Sequence, residues 1–152
     1  MKLTMAQVID LARQAGLSGE GLAMAGAIAR AESGLNTDAV GVNGPTSGCP
    51  NGSRDLGLWQ INDCYNRIAN AFDPVTNAQA MARISAGGKN WKPWSTYHNG
   101  AYKKFLAEAE AVAGMGGTPL WQRVIEGLLI GAGVTWAWQN RERIAGWWRK
   151  AS

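Results

Sequence analysis

Ala31-Glu32-Ser33-Gly34-Leu35-Asn36 and, further along, Asp55-Leu56-Gly57-Leu58-Trp59-Gln60-Ile61-Asn62 are the stretches from which the rest of the chain is best read. One carboxylate closes an Ala-rich helical run. The other opens a short apolar segment that ends in two amides. Between them residues 36–54 are rich in Gly and Pro and have no helical period. That predicts a long loop or a small irregular hairpin, with Asn51-Gly52 its best turn. Two carboxyls held across a cleft lined by Trp, Gln and Asn suit glycoside cleavage. One acid protonates the leaving oxygen, and the other stabilises or attacks the oxocarbenium-like centre.

Glu32-Ser33 followed by Asp55-Leu56-Gly57-Leu58-Trp59-Gln60-Ile61-Asn62 resembles the Glu-Ser and Asp-x-Gly-x-x-Gln-Ile-Asn pattern of c-type lysozymes. Glu32-Ser33, Gly57-Leu58-Trp59-Gln60 and, more loosely, Tyr97-His98-Asn99-Gly100 are also similar to soluble lytic transglycosylases. Phage cell-wall lysins and virion lysozymes share the scheme. The resemblance covers roughly residues 20–105. It implies a mainly α, α+β lysozyme-like fold and a muramidase acting on the β-1,4 bond between N-acetylmuramic acid and N-acetylglucosamine. Glu32 would be the general acid and Asp55 the second carboxylate. Ser33, Trp59, Gln60, Asn62 and Tyr97 would contact substrate, with Tyr97 beside Glu32. No cofactor and no metal are implied. Two rivals follow from the same residues: a lytic transglycosylase, which needs no second carboxylate and leaves a 1,6-anhydro end, and a wall-binding or virion structural protein without turnover.

The residues support the acid role independently. Residues 19–33 place Leu22, Met24, Ala27, Ile28 and Ala31 on overlapping helical faces, with Ser18 as the cap and Gly34 as the stop. Glu32 then sits at the negative end of a helix dipole among apolar neighbours, and both disfavour ionisation. The plainer alternative is a solvated residue in a last helical turn. For Asp55 the alternative is a carboxylate turned away, pairing with Arg54. The interval from Glu32 to Asp55 is also longer than in c-type lysozymes.

Composition is consistent with this chemistry. The chain has 152 residues, suited to one domain with an appendage, and a net charge of +4. Such a charge favours anionic polymers such as peptidoglycan and teichoic acid but is too weak to argue for nucleic acid. One His and two Cys exclude a zinc-type cluster. Twenty Gly point to irregular loops and close packing, and eight Trp to a carbohydrate cleft or an interfacial surface. The first residues lack the apolar run and cleavage site of a signal peptide. A wall enzyme made in the cytoplasm without one would reach the wall through lysis or inside a virion, which favours a phage origin.

Elsewhere, Thr4 and Gln7 form a capping-box signature for a helix over residues 5–15. Asp73-Pro74 starts a helix carrying Val75, Ala78, Ala82 and Ile84, which stops at Gly87-Gly88. Trp91 and Trp94 fit a sugar-stacking wall and fit core packing equally well. A further helix spans about 101–113, and His98 reads as a satisfied structural or cleft-edge residue. Cys49 and Cys64 flank Asp55. A bridge between them would close a loop of about 15 residues and contribute about 3 kcal/mol, and two free thiols are the alternative.

The catalytic domain is thus expected over residues 1–113, a Gly-rich linker over 114–118 and an apolar, Trp-rich helical tail over 119–152. The tail has no charge between Glu126 and Arg141, and Gly127 and Gly131 make a GxxxG pair. Residues 120–138 would span about 28 Å as a helix, close to a bilayer core. Arg123 and Glu126 inside that window argue against a clean span. Three readings of the tail stay open: a membrane-inserting or interfacial helix, a helix docked against virion proteins, and a helix folded back on the catalytic domain.

Overall fold

The computed structural model describes residues 1–114. Most of the linker and the whole tail, with its membrane, assembly and fold-back readings, lie outside the described residues. Among these, no helix is long and apolar enough to cross a membrane.

Helix α1 spans Met5–Gln14 and is held at its start by the capping box that Thr4 and Gln7 predict. The Gln7 amide donates to Thr4 Oγ1 at 3.3 Å and the Thr4 amide to Gln7 Oε1 at 2.9 Å. Its buried stripe is Met5, Val8, Ile9 and Ala12. Helix α2, Glu20–Ser33, is the centre of the fold, buried on nearly every side. Its N-cap is Gly19, at φ 52°, not the expected Ser18. A backbone that enters the helix through the left-handed region suits a residue without Cβ. Gly26 lies where α1 and the helix over Lys103–Val112 reach α2. A Cβ there would stand 2.8 Å from Met5 Sδ and 3.4 Å from the Ala109 methyl.

The Gly-rich stretch after α2 resolves into an antiparallel sheet. Strands β1 (Val40–Asn43), β2 (Ser53–Leu56) and β3 (Ile61–Asn62) lie in that order, so the region is a hairpin with one further short strand. Asp55 stands opposite Gly41 on one side and Asn62 on the other. A disulfide joins Cys49, in the hairpin loop, to Cys64, just past β3, with Cα atoms 6.2 Å apart.

Helix α3, Pro74–Ile84, is capped by Asp73, whose carboxylate accepts from the Thr76 amide at 2.8 Å. Its buried face differs from the expected apolar stripe. Asn77, Ala78, Ala80 and Met81 point inward, while Val75 is largely exposed. A buried Asn in place of a Val has a physical reason. Asn77 Nδ2 donates to Leu56 O and Ala71 O, and its Oδ1 accepts from the Trp59 amide at 3.0 Å. These are backbone groups of the turn between β2 and β3 and of the chain before α3, which would otherwise be buried unpaired. Gly57, at φ 77°, makes room for this hub, since a Cβ there would lie 2.5 Å from Asn77 Nδ2. We expect Asn77→Leu to lower stability by on the order of 3 kcal/mol or more, measured by urea unfolding, because three polar groups lose their partner at once. A loss no larger than that of an exposed Asn would show that the hub does not hold the turn.

The chain then forms a single-turn helix α4, Ser95–His98, and helix α5, Lys103–Val112, which packs on α2. The architecture is mixed, with helices around α2 and one small antiparallel sheet at their side, the α+β lysozyme-like class expected.

Candidate active site

The C-terminal turn of α2, the inner edge of the sheet and the segment entering α4 enclose a cleft of about 330 Å³. Glu32, Asn43, Asp55, Gln60, Asn62 and Trp94 are among the residues lining it. Glu32 sits one residue before the helix end, and Gly34 at φ 61° turns the chain away behind it. Burial raises the Glu32 pKa above its ordinary value, and the Asp55 charge pushes it the same way. Thr96 opposes them. Its hydroxyl donates to Glu32 Oε1 at 2.7 Å, and its backbone acts in the same sense.

Asp55 faces the cleft with both oxygens engaged. Asn62 Nδ2 donates to Oδ1 and Asn43 Nδ2 to Oδ2, each at 2.7 Å. The sheet register explains the clamp, since Asn62 is directly opposite Asp55 and Asn43 stands one strand away, paired with Ser53. Arg54 points to the other side of β2, where its Nε lies 2.9 Å from Asp63 Oδ2, so it does not pair with Asp55. Strand alternation alone separates the two neighbours.

Gln60 lines the cleft from a left-handed backbone at φ 48°. Its Nε2 donates to Ala39 O and Gly57 O. Gly41 leaves room for its Oε1, which would lie 3.1 Å from a Cβ there.

Four residues expected to contact substrate are not among those lining the cleft. Trp59 is fully buried, its indole N–H donating to Ala25 O in α2, so it is core and offers no sugar-stacking face. Trp91 is also buried, bonded to Gly88 O and absent from the cleft. Ser33 points inward, its hydroxyl shared between Ala29 O and Leu58 O, which ties the end of α2 to the turn after β2. Tyr97 is absent from the cleft lining and stacks on Tyr102 with ring centroids 5.4 Å apart. Trp94 does line the cleft, but only 4% of it is exposed and its N–H is committed to Trp59 O. His98 is exposed outside the cleft, its Nε2 2.7 Å from Lys92 O.

The two polar residues that hydrogen-bond the cleft carboxyls from outside the expected set are Thr96, on Glu32, and Asn43, on Asp55. Thr96 is adjacent to the expected Tyr97, and in a one-turn helix only one of the two can face α2. Asn43 could have been suspected from the hairpin, had its register been known. Removal of the Thr96 hydroxyl supplies a direct check on the Glu32 environment. Because that bond favours the charged carboxylate, Thr96→Val should move the Glu32 pKa further upward, as read from the carboxyl carbon shift in an NMR titration. An unchanged or lowered value would contradict the hydrogen bond.

The arrangement joins a carboxyl biased toward its protonated form with a carboxylate held between two amide donors, across one open cleft. That pair can donate a proton to a leaving oxygen and stabilise a developing cation. No curated protein matches the chain. A family model described as a lysozyme-like domain matches residues 9–96, a span that contains Glu32, Asn43, Asp55, Gln60, Asn62 and Thr96. With more than half of its length inside that match, the chain belongs to the lysozyme-like domain family, whose general potential is that of a peptidoglycan-directed glycosidase.

Proposed function

We propose that this protein is a muramidase that hydrolyses the β-1,4 bond between N-acetylmuramic acid and N-acetylglucosamine in peptidoglycan. The observation that carries the reading is the pairing of Glu32, its pKa raised by burial, with Asp55, clamped by Asn43 and Asn62, in the same cleft. Glu32 delivers its proton to the glycosidic oxygen as the bond to the anomeric carbon breaks. The Asp55 carboxylate faces the cationic ring that results, and water completes the cleavage with a reducing end as product. Gln60 and Asn62 border the same space and orient the sugar.

The two amides on Asp55 favour hydrolysis over transglycosylation, because a lytic transglycosylase has no use for a second carboxylate held in the cleft. Residues 1–113 carry this activity, and residues 119–152 supply location at the wall or in a phage particle. The test is incubation of the purified full chain with peptidoglycan sacculi, followed by mass analysis of the products. Turbidity loss with reducing muramyl ends supports the reading. Anhydromuramyl ends point to the transglycosylase, and no turbidity loss from folded protein points to a binding protein.

A further inference from the structure

We propose that a second cavity, at the start of α2, binds a zwitterionic amino-acid head, with an ammonium and a carboxylate on one carbon. In peptidoglycan such a head is the free end of a diaminopimelate residue in a stem peptide. That source rests on the peptidoglycan reading above, while the chemistry of the cavity does not.

The cavity holds about 550 Å³ and is larger than the cleft. Glu20, Met24, Lys89, Trp91, Tyr97 and Tyr102 are among the residues lining it. Glu20 is the first residue of α2 and Glu32 the last but one, so about 18 Å of helix separates them. Consecutive residues of α4 serve the two spaces, since Thr96 bonds Glu32 and Tyr97 lines the second cavity. Trp91 and Tyr97, both absent from the cleft, meet again here. Tyr97 and Tyr102 stack with their planes 18° apart and form one aromatic wall.

Two opposite charges line the same cavity without neutralising each other. Glu20 and Lys89 are exposed, and among the described residues neither takes part in an ion pair. Each alone would be a solvated surface charge. Their glycine neighbours, however, hold the two backbones together. A Cβ on Gly21 would stand 3.4 Å from Gly88 Cα, and one on Gly88 would stand 3.0 Å from Gly21 Cα. Glu20 precedes Gly21 and Lys89 follows Gly88, so this close approach sets an acid and a base at one cavity. A ligand carrying both charges answers both residues, whereas a simple cation or anion leaves one of them facing a like charge or none. Tyrosine ring faces also attract an ammonium, and Met24 offers an apolar partner to a methylene chain. Glu110 lines an adjoining hollow that shares Glu20 and Met24, so acid prevails on that side. A diaminopimelate end supplies the ammonium, the carboxylate and the methylene chain together.

The test uses the full chain and calorimetry with the free tripeptide L-Ala-γ-D-Glu-meso-diaminopimelate, which carries no sugar. The tripeptide should bind. Its lysine counterpart, which lacks the carboxylate beside the terminal ammonium, should bind about fivefold more weakly. Glu20→Gln and Lys89→Met should each raise the tripeptide Kd about fivefold, and both side chains are exposed, so the fold is kept. Lys89→Met should leave the lysine peptide's Kd unchanged, since that peptide has no carboxylate to lose there. Tyr97→Leu, which fills similar space without a ring, should raise the tripeptide Kd about threefold. Tri-N-acetylchitotriose, a ligand for the cleft, should not displace the peptide. No tripeptide binding at millimolar concentration, equal affinity for the lysine peptide, or a Kd unmoved by both charge variants would overturn the proposal. Displacement by the trisaccharide would place the peptide in the cleft and overturn it as well. Binding of free meso-diaminopimelate without binding of the tripeptide would overturn the wall as the source. Turbidity of peptidoglycan, followed in parallel, keeps the two readings apart. Peptide binding without turbidity loss removes the muramidase and leaves this site, and turbidity loss without peptide binding does the reverse.

Discussion

Glu32→Gln should abolish wall degradation almost completely, by about 10²–10⁴-fold in kcat, while the protein stays folded. The amide retains the size of the carboxyl and can still accept from Thr96 Oγ1, which lies 2.7 Å from Glu32 Oε1 in the wild type. It has no proton to give to a leaving oxygen. The loss should appear in kcat with binding of tri-N-acetylchitotriose retained, since the acid acts on the transition state and not on the resting sugar. Activity within a few-fold of wild type, in protein that circular dichroism shows to be folded, would remove Glu32 from the mechanism.

The same substitution has a stability signature of opposite sign. Burial raises the Glu32 pKa in the folded protein above its unfolded value, so between the two values the native state binds more protons than the unfolded one. Stability contributed by this group is thus greatest below the unfolded pKa and falls as pH rises through the folded pKa. Glu32→Gln removes that penalty, and its melting temperature at pH 7 should equal or exceed that of wild type. The difference should shrink in acid. Wild-type activity should decline on the alkaline side as Glu32 loses its proton, at a pH above the ordinary carboxylate range. On the muramidase reading, an acid that costs stability at the pH where it works is the expected compromise.

How much of this was legible beforehand varies with the kind of interaction. Helix α1 was readable from Thr4 and Gln7, because a capping box is a local contact whose spacing fixes its geometry. Glu32 was readable because a Gly stop behind an apolar helix determines where the last side chain sits. Tryptophan was the misleading signal. Trp59 and Trp91 each find a carbonyl for the indole N–H inside the fold, so nothing forces them to the surface, and residue type alone cannot report that. Asn77 lay outside the apolar stripe read for α3, a polar residue buried because Leu56 O and the Trp59 amide, at the turn between β2 and β3, and Ala71 O, before α3, all pair with it. Thr96 and Tyr97 differ by one position in a four-residue helix, and only the packing of α4 on α2 decides which of them meets Glu32.

Asp55→Ala should cost about 10²–10³-fold in kcat, and the products that remain will identify the reaction. In the wild type its carboxylate is held by Asn43 and Asn62 at 2.7 Å each, so the charge faces the cleft without reorganising as the sugar cation forms. A preoriented charge of this kind acts on the transition state, and its removal should lower kcat with little change in trisaccharide affinity. The vacated amides have another acceptor close by. Asn62 Nδ2 already lies 2.9 Å from Ser53 Oγ and Asn43 Nδ2 3.4 Å from it, so the sheet should keep its register and the variant its fold. Removing the negative charge beside Glu32 should also lower the Glu32 pKa, because Asp55 is one of the causes that raise it. The alkaline limb of the residual activity should therefore move to lower pH. Reducing ends as the main wild-type product, together with this loss, identify a hydrolase. If Asp55→Ala instead cleaves at the wild-type rate and both enzymes release anhydromuramyl ends, the substrate's own 6-hydroxyl is the attacking group. The clamped carboxylate would then be part of the scaffold, and Glu32 alone would carry the chemistry.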